Sequence, residues 1–154
     1  MAQRDPLIPP IAYHWTAASA IPAIKREGLH TSVGGYEGYH GDEPGVNLTL
    51  SGHAPSEYWN ANIFWIARPV RISVDTARLD HSRFGPDLNS LLNEDTLACV
   101  GPDEADLSDS RAHTLANSLR FTENFRYLGP IPPAALIAFD AFEPHPDWKL
   151  EEED

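Results

Sequence analysis

Proline is the residue that most constrains how this chain can fold. Fourteen of the 154 residues are proline, nearly twice the usual share of about 5%. They are scattered among Gly, Asp and Asn and form no single linker. Because proline removes a backbone donor and interrupts helices and central strands, the chain is predicted to form short elements joined by many turns.

The apolar content is sufficient for one folded domain. Hydrophobic residues make up 42% of the chain and aromatic residues 10%, whereas disordered chains are poor in both. The length fits a single domain. We expect one domain over residues 1–146, followed by a frayed, acidic tail over residues 147–154.

The charge and the hydropathy pattern exclude some functions. Asp and Glu number 23 against 11 Lys and Arg, for a formal charge of −12, which argues against a generic nucleic-acid binder. No apolar run approaches the roughly 18 residues that span a bilayer, and prolines and an acid interrupt the N-terminal residues. We therefore expect a cytoplasmic protein with no membrane partner.

Two further residue groups have simple interpretations. The single cysteine, Cys99, is expected to be a buried structural residue, and no metal site is expected. Four arginines cluster in one short stretch and predict a solvated strand face, with contact to a phosphate as the alternative. They are Arg68, Arg71, Arg78 and Arg83.

Periodicity and turn signals predict the secondary structure. Ser19 is a candidate helix cap, with Pro22 in the first turn and Gly28 as the C-cap. Other helices are expected over 54–61, 87–93 and 103–119, and strands over 11–16, 46–50, 63–66, 70–74, 120–128 and 135–142. Strands at both ends with helices inserted between them predict an α+β fold on a mixed or antiparallel sheet. No glycine-rich nucleotide cradle of the G-x-G-x-x-G kind is present.

Three separated segments carry the chemistry. They are His14-Trp15-Thr16 with Ile24-Lys25-Arg26-Glu27-Gly28-Leu29 after seven residues, Gly45-Val46-Asn47-Leu48-Thr49 with Tyr58 eleven residues beyond Asn47, and Glu123 ahead of Gly129-Pro130-Ile131-Pro132-Pro133. Together they resemble the ADP-ribosyltransferase fold of the diphtheria-toxin and poly(ADP-ribose) polymerase type, including small bacterial members that modify DNA. The resemblance implies a split sheet with short inserted helices.

The resemblance also implies a reaction and its residues. It implies an NAD-dependent mono-ADP-ribosyltransferase, a toxin or effector, that cleaves the nicotinamide glycosidic bond and transfers ADP-ribose to a protein or nucleic acid. Glu123, on a late strand, would stabilise the oxocarbenium-like transition state. His14 would bind a ribose hydroxyl, and Tyr58 would stack on nicotinamide. Further NAD contacts are implied for Trp15, Thr16, Gly28, His30 and Asn47.

Departures from the family pattern leave alternatives open. Asn47 stands where the family has Tyr, so one side of the nicotinamide would be open or would be covered by another ring such as Tyr36 or Tyr39. These two residues lie with His40 in a glycine-rich loop. One alternative is an RNA 2′-phosphotransferase, although Tyr13 occupies the position of that family's Arg. The others are an NAD glycohydrolase and a catalytically inactive NAD-binding or protein-interaction module.

Overall fold

A computed structural model of the protein describes residues 6–31, 44–53, 68–101 and 103–142. Within these ranges it contains six strands and four α-helices, all of them short, as the proline content predicts. They are β1 (Ile11–Ala17), α1 (Ile21–Glu27), β2 (Val46–Thr49), β3 (Pro69–Asp75), β4 (Phe84–Pro86), α2 (Leu88–Leu91), α3 (Glu94–Cys99), α4 (Leu115–Thr122), β5 (Asn124–Tyr127) and β6 (Leu136–Ala141).

The six strands form one sheet in the order β4-β5-β2-β1-β3-β6, and every neighbouring pair is antiparallel. The predicted α+β class is confirmed, with the antiparallel form of the sheet. The ladder between β1 and β3 runs the full length of β1. The ladder between β1 and β2 is much shorter and has a single paired position, Tyr13 with Thr49. Two three-stranded halves therefore meet at a short junction.

The apolar core covers one face of the sheet. Alternation along the strands places Ala12, Leu48 and Phe125 on this face, and all three are buried. Helices α1 and α4 add partly buried side chains to it. The core comprises Ile8, Ala12, Leu29, Val46, Leu48, Ile72, Val74, Leu79, Phe84, Phe125, Tyr127, Ile131 and Ala135, with Ile21, Ile24, Leu115 and Leu119 packed against it.

The C-terminal end of α1 docks on the Ile-Pro-Pro turn. Gly28 ends the helix with φ of 82°, as its position in the sequence predicts. Leu29 and Ile131 exchange backbone hydrogen bonds of 2.8 and 2.9 Å. A Cβ on Gly28 would lie 2.2 Å from the carbonyl oxygen of Ile131. Two segments of the family resemblance thus pack on each other. The expected Ser19 cap is wrong, because the N-cap is Ala20 and has no side-chain cap bond.

The middle of the chain differs most from expectation. The helix expected over 103–119 is replaced by turns, a 3₁₀ turn at Ser110–Ala112 and α4. Asp109 and Thr114 accept backbone hydrogen bonds that begin these last two elements, and such side chains compete with a continuous helix. The helix expected over 87–93 is limited to α2, and α3 and β4 were not predicted.

The boundary between α4 and β5 corrects the predicted strand over 120–128. Residues 120–122 belong to α4, and Glu123 is its C-cap with φ of 60° and ψ of 2°. The strand begins only at Asn124. Glu123 therefore stands in a helix-to-strand corner and not on a strand. The last predicted strand, 135–142, is confirmed as β6 with a 3₁₀ turn, Pro133–Ala135, before it.

Cys99 is exposed at the end of α3, so the expected burial is wrong. The cause is that α3 contributes no buried residue and lies on the surface. The expected helix over 54–61, the expected strand over 63–66 and the tail over 147–154 lie outside the described residues. None of the helices described is both long enough and apolar enough to cross a membrane.

Candidate functional site

The junction between β1 and β2 brings the first predicted site residues together. The Nδ1 atom of His14 lies 2.7 Å from the carbonyl oxygen of Asn47. A carbonyl oxygen only accepts, so Nδ1 carries the proton and the lone pair of the neutral ring is on Nε2. His14 is half-buried. Burial lowers the pKa of this imidazole from its ordinary 6.5, and the bond to Asn47 partly opposes that shift.

A buried arginine fixes the side chain of Asn47. In the ladder between β2 and β5, Asn47 lies directly opposite Arg126. The Nε atom of Arg126 donates to the Asn47 Oδ1 at 2.8 Å. Arg126 is 0% exposed, whereas Asn47 is exposed. Asn47 thus contacts His14 through its backbone and Arg126 through its carboxamide.

Glu123 reaches the same strand from the other side of β2. Its carbonyl oxygen accepts from the Leu50 N–H at 2.9 Å and from the Thr49 hydroxyl at 3.3 Å. The side chain is exposed. A left-handed backbone is uncommon for a residue with a side chain, and such outliers cluster at functional sites. The corner therefore places the backbone of Glu123, whose side chain is exposed, next to the end of β2.

The segment from Asn47 to Leu50 links the predicted catalytic residues. His14 bonds the first residue of this segment, and Glu123 bonds the last. The side chains do not all share one sheet face. Because Tyr13 pairs with Thr49, alternation places His14 on the face of Leu48, and Asn47 on the face of Tyr13. The two faces meet only at the short junction.

The other residues of the first strand lie close to His14. Thr16 shares its face and lies opposite Val70 in the β3 ladder. Trp15 lies on the other face, opposite Arg71. Its ring packs edge-to-face against Phe142, with the two ring centroids 6.0 Å apart. The bulk of Trp15 is thus accounted for by packing.

Two predicted contacts lie at the end of α1, away from the junction. Gly28 has a structural explanation, because the Ile131 carbonyl fills the space that a side chain would take. His30 is an exposed residue 4.0 Å from Glu27. Neither residue contacts His14 or Glu123 among the described interactions.

The aromatic residues predicted to face nicotinamide lie outside the described part of the chain. These are Tyr58 and the loop residues Tyr36 and Tyr39, and His40 of the same loop also lies outside it. The stacking role of Tyr58 stays a prediction.

Three of the four arginines of the predicted cluster form ion pairs with aspartates. Arg71 is on β3 and lies 3.4 Å from Asp140, with its guanidinium 4.8 Å from the Tyr13 ring centroid. Two more arginines lie in 3₁₀ turns and pair with acids three residues earlier, Arg78 with Asp75 and Arg83 with Asp80. The stretch is therefore not one continuous strand face.

Sequence reasoning missed Arg126. The signal was available, since a charged residue stands between the aromatic residues Phe125 and Tyr127 of one strand, and an ionised side chain is rarely buried without a partner. One of its partners, Asn47, is 79 positions away. Only the strand order reveals it.

A shallow cavity of about 430 Å³ lies near the same corner. Several of its polar groups already bond within the protein: Asn124 Nδ2 donates to Ser90 Oγ at 3.0 Å, and Asn93 Oδ1 accepts from the Asp95 N–H. Glu123 does not line it. The lining residues are Asn89, Ser90, Asn93, Thr96, Phe121, Thr122 and Asn124. The junction between β1 and β2, and not this cavity, is the candidate site.

Comparison with known proteins adds no family to this geometry. No protein-family model matches the chain, and no curated protein matches its sequence significantly. Within the described ranges no group of three His, Cys, Asp or Glu side chains is arranged to hold a metal ion. The residues at the β1–β2 junction are therefore the basis for inferring the function.

Proposed function

We propose that the protein is an NAD-dependent mono-ADP-ribosyltransferase with an ADP-ribosyltransferase-like split sheet. One observation carries the proposal. His14 and Glu123, distant in the sequence, both hydrogen-bond to the backbone of one four-residue segment, at Asn47 and Leu50. The resemblance assigns these two residues to the ribose and to the transition state, and both functions require a common neighbourhood.

The sheet topology supports the proposal. The ladder between β1 and β2 pairs a single position, Tyr13 with Thr49. The neighbouring ladders are longer, with β1 paired to β3 over seven positions and β2 to β5 over four. A short ladder leaves the two halves free to diverge, so an elongated dinucleotide can lie across the junction and contact residues of both faces.

His14 is proposed to bind the ribose next to nicotinamide. Its Nδ1–H is used by the Asn47 carbonyl, which leaves Nε2 as an acceptor for a ribose hydroxyl. The lowered pKa keeps the ring neutral near pH 7, so this lone pair stays available. Trp15, Thr16, Gly28 and His30 are proposed as further NAD contacts, with Tyr58 stacking on nicotinamide.

Glu123 is proposed to supply the negative charge for the reaction. The bond between C1′ of the ribose and the nicotinamide nitrogen breaks, and nicotinamide leaves with the electron pair. The oxocarbenium-like centre is stabilised by the carboxylate. A nucleophile of the acceptor, a protein or nucleic acid, then bonds to C1′ and loses its proton. With water as the acceptor, the same residues give NAD hydrolysis.

The test is single-turnover release of nicotinamide from saturating NAD by the wild type and by Glu123→Gln. The amide retains the size of the side chain but not its charge, so NAD binding is expected to persist while release slows by at least about 100-fold. Glu94→Gln, an exposed substitution on α3, is the matched control and is expected to release nicotinamide at the wild-type rate.

Equal rates for Glu123→Gln and wild type would remove Glu123 from the reaction. NAD binding without release by either protein would indicate an inactive NAD-binding module. Absence of NAD binding to the wild type in calorimetry would overturn the proposal entirely. Free ADP-ribose among the products, measured by mass spectrometry, distinguishes hydrolysis from transfer.

A further inference from the structure

We infer that Asn47 is a specificity-determining residue for NAD, held by Arg126 so that its amide NH₂ faces a hydrogen-bond-accepting oxygen on the nicotinamide riboside half. The inference rests on the proposed function, because only that function places this half of NAD next to β2. It assigns to Asn47 a different interaction from the ring stacking of the Tyr that the family has there.

The orientation of the carboxamide follows from donor and acceptor chemistry. A guanidinium has N–H donors and no acceptor. The Asn47 atom that lies 2.8 Å from Arg126 Nε is therefore the oxygen, Oδ1. Reversing the amide would set an N–H against an N–H and would remove the bond to a buried cation. Arg126 thus selects one of the two amide orientations.

The two residues that share this hydrogen bond differ in burial. Arg126 is 0% exposed, so its guanidinium has no bulk water to replace the Asn47 oxygen. Asn47 is exposed, and in the described part of the chain its Nδ2 atom has no hydrogen-bond partner. The NH₂ group is consequently an unused donor of a fixed carboxamide on an exposed residue.

The backbone of the same residue connects this donor to His14. The Asn47 carbonyl receives the His14 Nδ1–H, which leaves His14 Nε2 as an acceptor. One residue thus links an acceptor for a ribose hydroxyl on one face of the β1–β2 junction to a donor for an oxygen on the other face. In the nicotinamide riboside half, the available oxygens are those of the carboxamide and of the ribose.

The test compares NAD with ADP-ribose, which lacks nicotinamide, by titration calorimetry on Asn47→Asp. A carboxylate still accepts from Arg126 but has no N–H to donate, so the fold is expected to be retained. If the ligand oxygen is on the carboxamide, the ratio of NAD to ADP-ribose affinity should fall by at least about tenfold, the equivalent of about 1.4 kcal/mol. The added carboxylate attracts the cationic pyridinium of NAD, which ADP-ribose lacks, so it can only raise this ratio, and a fall reports the lost N–H donor.

A second pair of ligands identifies the oxygen. The thionicotinamide analogue of NAD replaces the carboxamide oxygen with sulfur, a weaker acceptor. The wild type is expected to bind this analogue more weakly than NAD, and Asn47→Asp is expected to bind both equally. An equal loss of affinity for thionicotinamide dinucleotide and NAD in Asn47→Asp assigns the bond to the ribose oxygen. Unchanged affinity of Asn47→Asp for all three ligands overturns the inference.

Arg126 is a positioning residue in this scheme and has its own test. Arg126→Lys keeps a cationic donor and is expected to retain most of the NAD to ADP-ribose ratio, whereas Arg126→Met is expected to lose it. Equal ratios in both variants would contradict the positioning role. If Arg126→Met does not fold, the Asn47→Asp result decides alone. Failure of the wild type to bind NAD would defeat the proposed function instead, before any variant is compared.

Discussion

At the scale of single residues, the candidate site is defined by which atoms are already engaged. His14 has one ring nitrogen committed to Asn47, and Asn47 has one side-chain atom committed to Arg126. Each of these two hydrogen bonds determines whether the remaining polar atom, His14 Nε2 or Asn47 Nδ2, is an acceptor or a donor. These assignments need the register between strands, with partners 33 and 79 positions apart, and for that reason the sequence identified His14 and Asn47 without their orientations.

The first prediction concerns the pH dependence of stability. Burial lowers the pKa of His14 in the folded protein, so below about pH 6.5 the unfolded chain takes up this proton more readily than the folded one. The contribution of His14 to stability is therefore present above that pH and is lost as the pH falls through the window below 6.5. In His14→Asn the side-chain amide can still donate to the Asn47 carbonyl, but it does not titrate.

The measurement is thermal melting of both proteins between about pH 7.5 and about pH 5. The wild type is expected to lose more unfolding free energy than His14→Asn over this range. The other histidines, including buried His81, are present in both proteins and cancel in the comparison. Parallel curves would show that His14 titrates at its ordinary pKa.

At the scale of elements, the sequence predicted strands with clear apolar alternation and misplaced boundaries governed by tertiary contacts. Strands β1, β3 and β6 were predicted nearly to the residue. The α4–β5 corner was not, because Phe121, Thr122 and Phe125 favour a strand by propensity. Contacts from a distant turn override that preference: Ser118, inside α4, receives a hydrogen bond from the Asp87 N–H.

The second prediction tests the docking of α1 on the Ile-Pro-Pro turn. Gly28→Ala places a Cβ 2.2 Å from the Ile131 oxygen at a φ of 82°, so the backbone must move and the pair of bonds between Leu29 and Ile131 weakens. We expect a loss of at least about 2 kcal/mol of unfolding free energy. Gly101→Ala is the matched control, because the atom nearest to its new Cβ, Glu104 Oε1, would be 3.9 Å away.

Chemical denaturation of the two variants measures this difference. A loss in Gly28→Ala no larger than that in Gly101→Ala would mean that the turn adapts freely. In that case packing against Ile131 would not explain why glycine stands at position 28.

At the scale of the whole molecule, the dominant property is the formal charge of −12. The exposed arginines do not give a ligand a local positive charge, since Arg78, Arg83 and Arg111 each pair with a neighbouring aspartate. Exposed pairs of this kind contribute little to stability. Their effect is to leave few unpaired cations on the described surface for an additional phosphate.

The last prediction follows from this charge and concerns the choice between NAD and NADP. NADP carries an additional 2′-phosphate, which must enter the negative potential of the protein, and the paired arginines of the described surface offer it little compensating charge. NAD at about 100 times its dissociation constant should stabilise the fold by about 2.7 kcal/mol. For a chain of this size that corresponds to a rise in melting temperature of roughly 5–10 °C. NADP at the same concentration should give a smaller rise.

Two variants serve as controls for this thermal shift. Glu123→Gln is expected to keep the rise in melting temperature with NAD, because the substitution alters the reaction and not ground-state binding. His14→Asn lacks the Nε2 acceptor and should show a smaller rise. Equal or larger shifts with NADP would mean that a cationic side chain outside the described residues receives the phosphate, and the charge argument would be wrong.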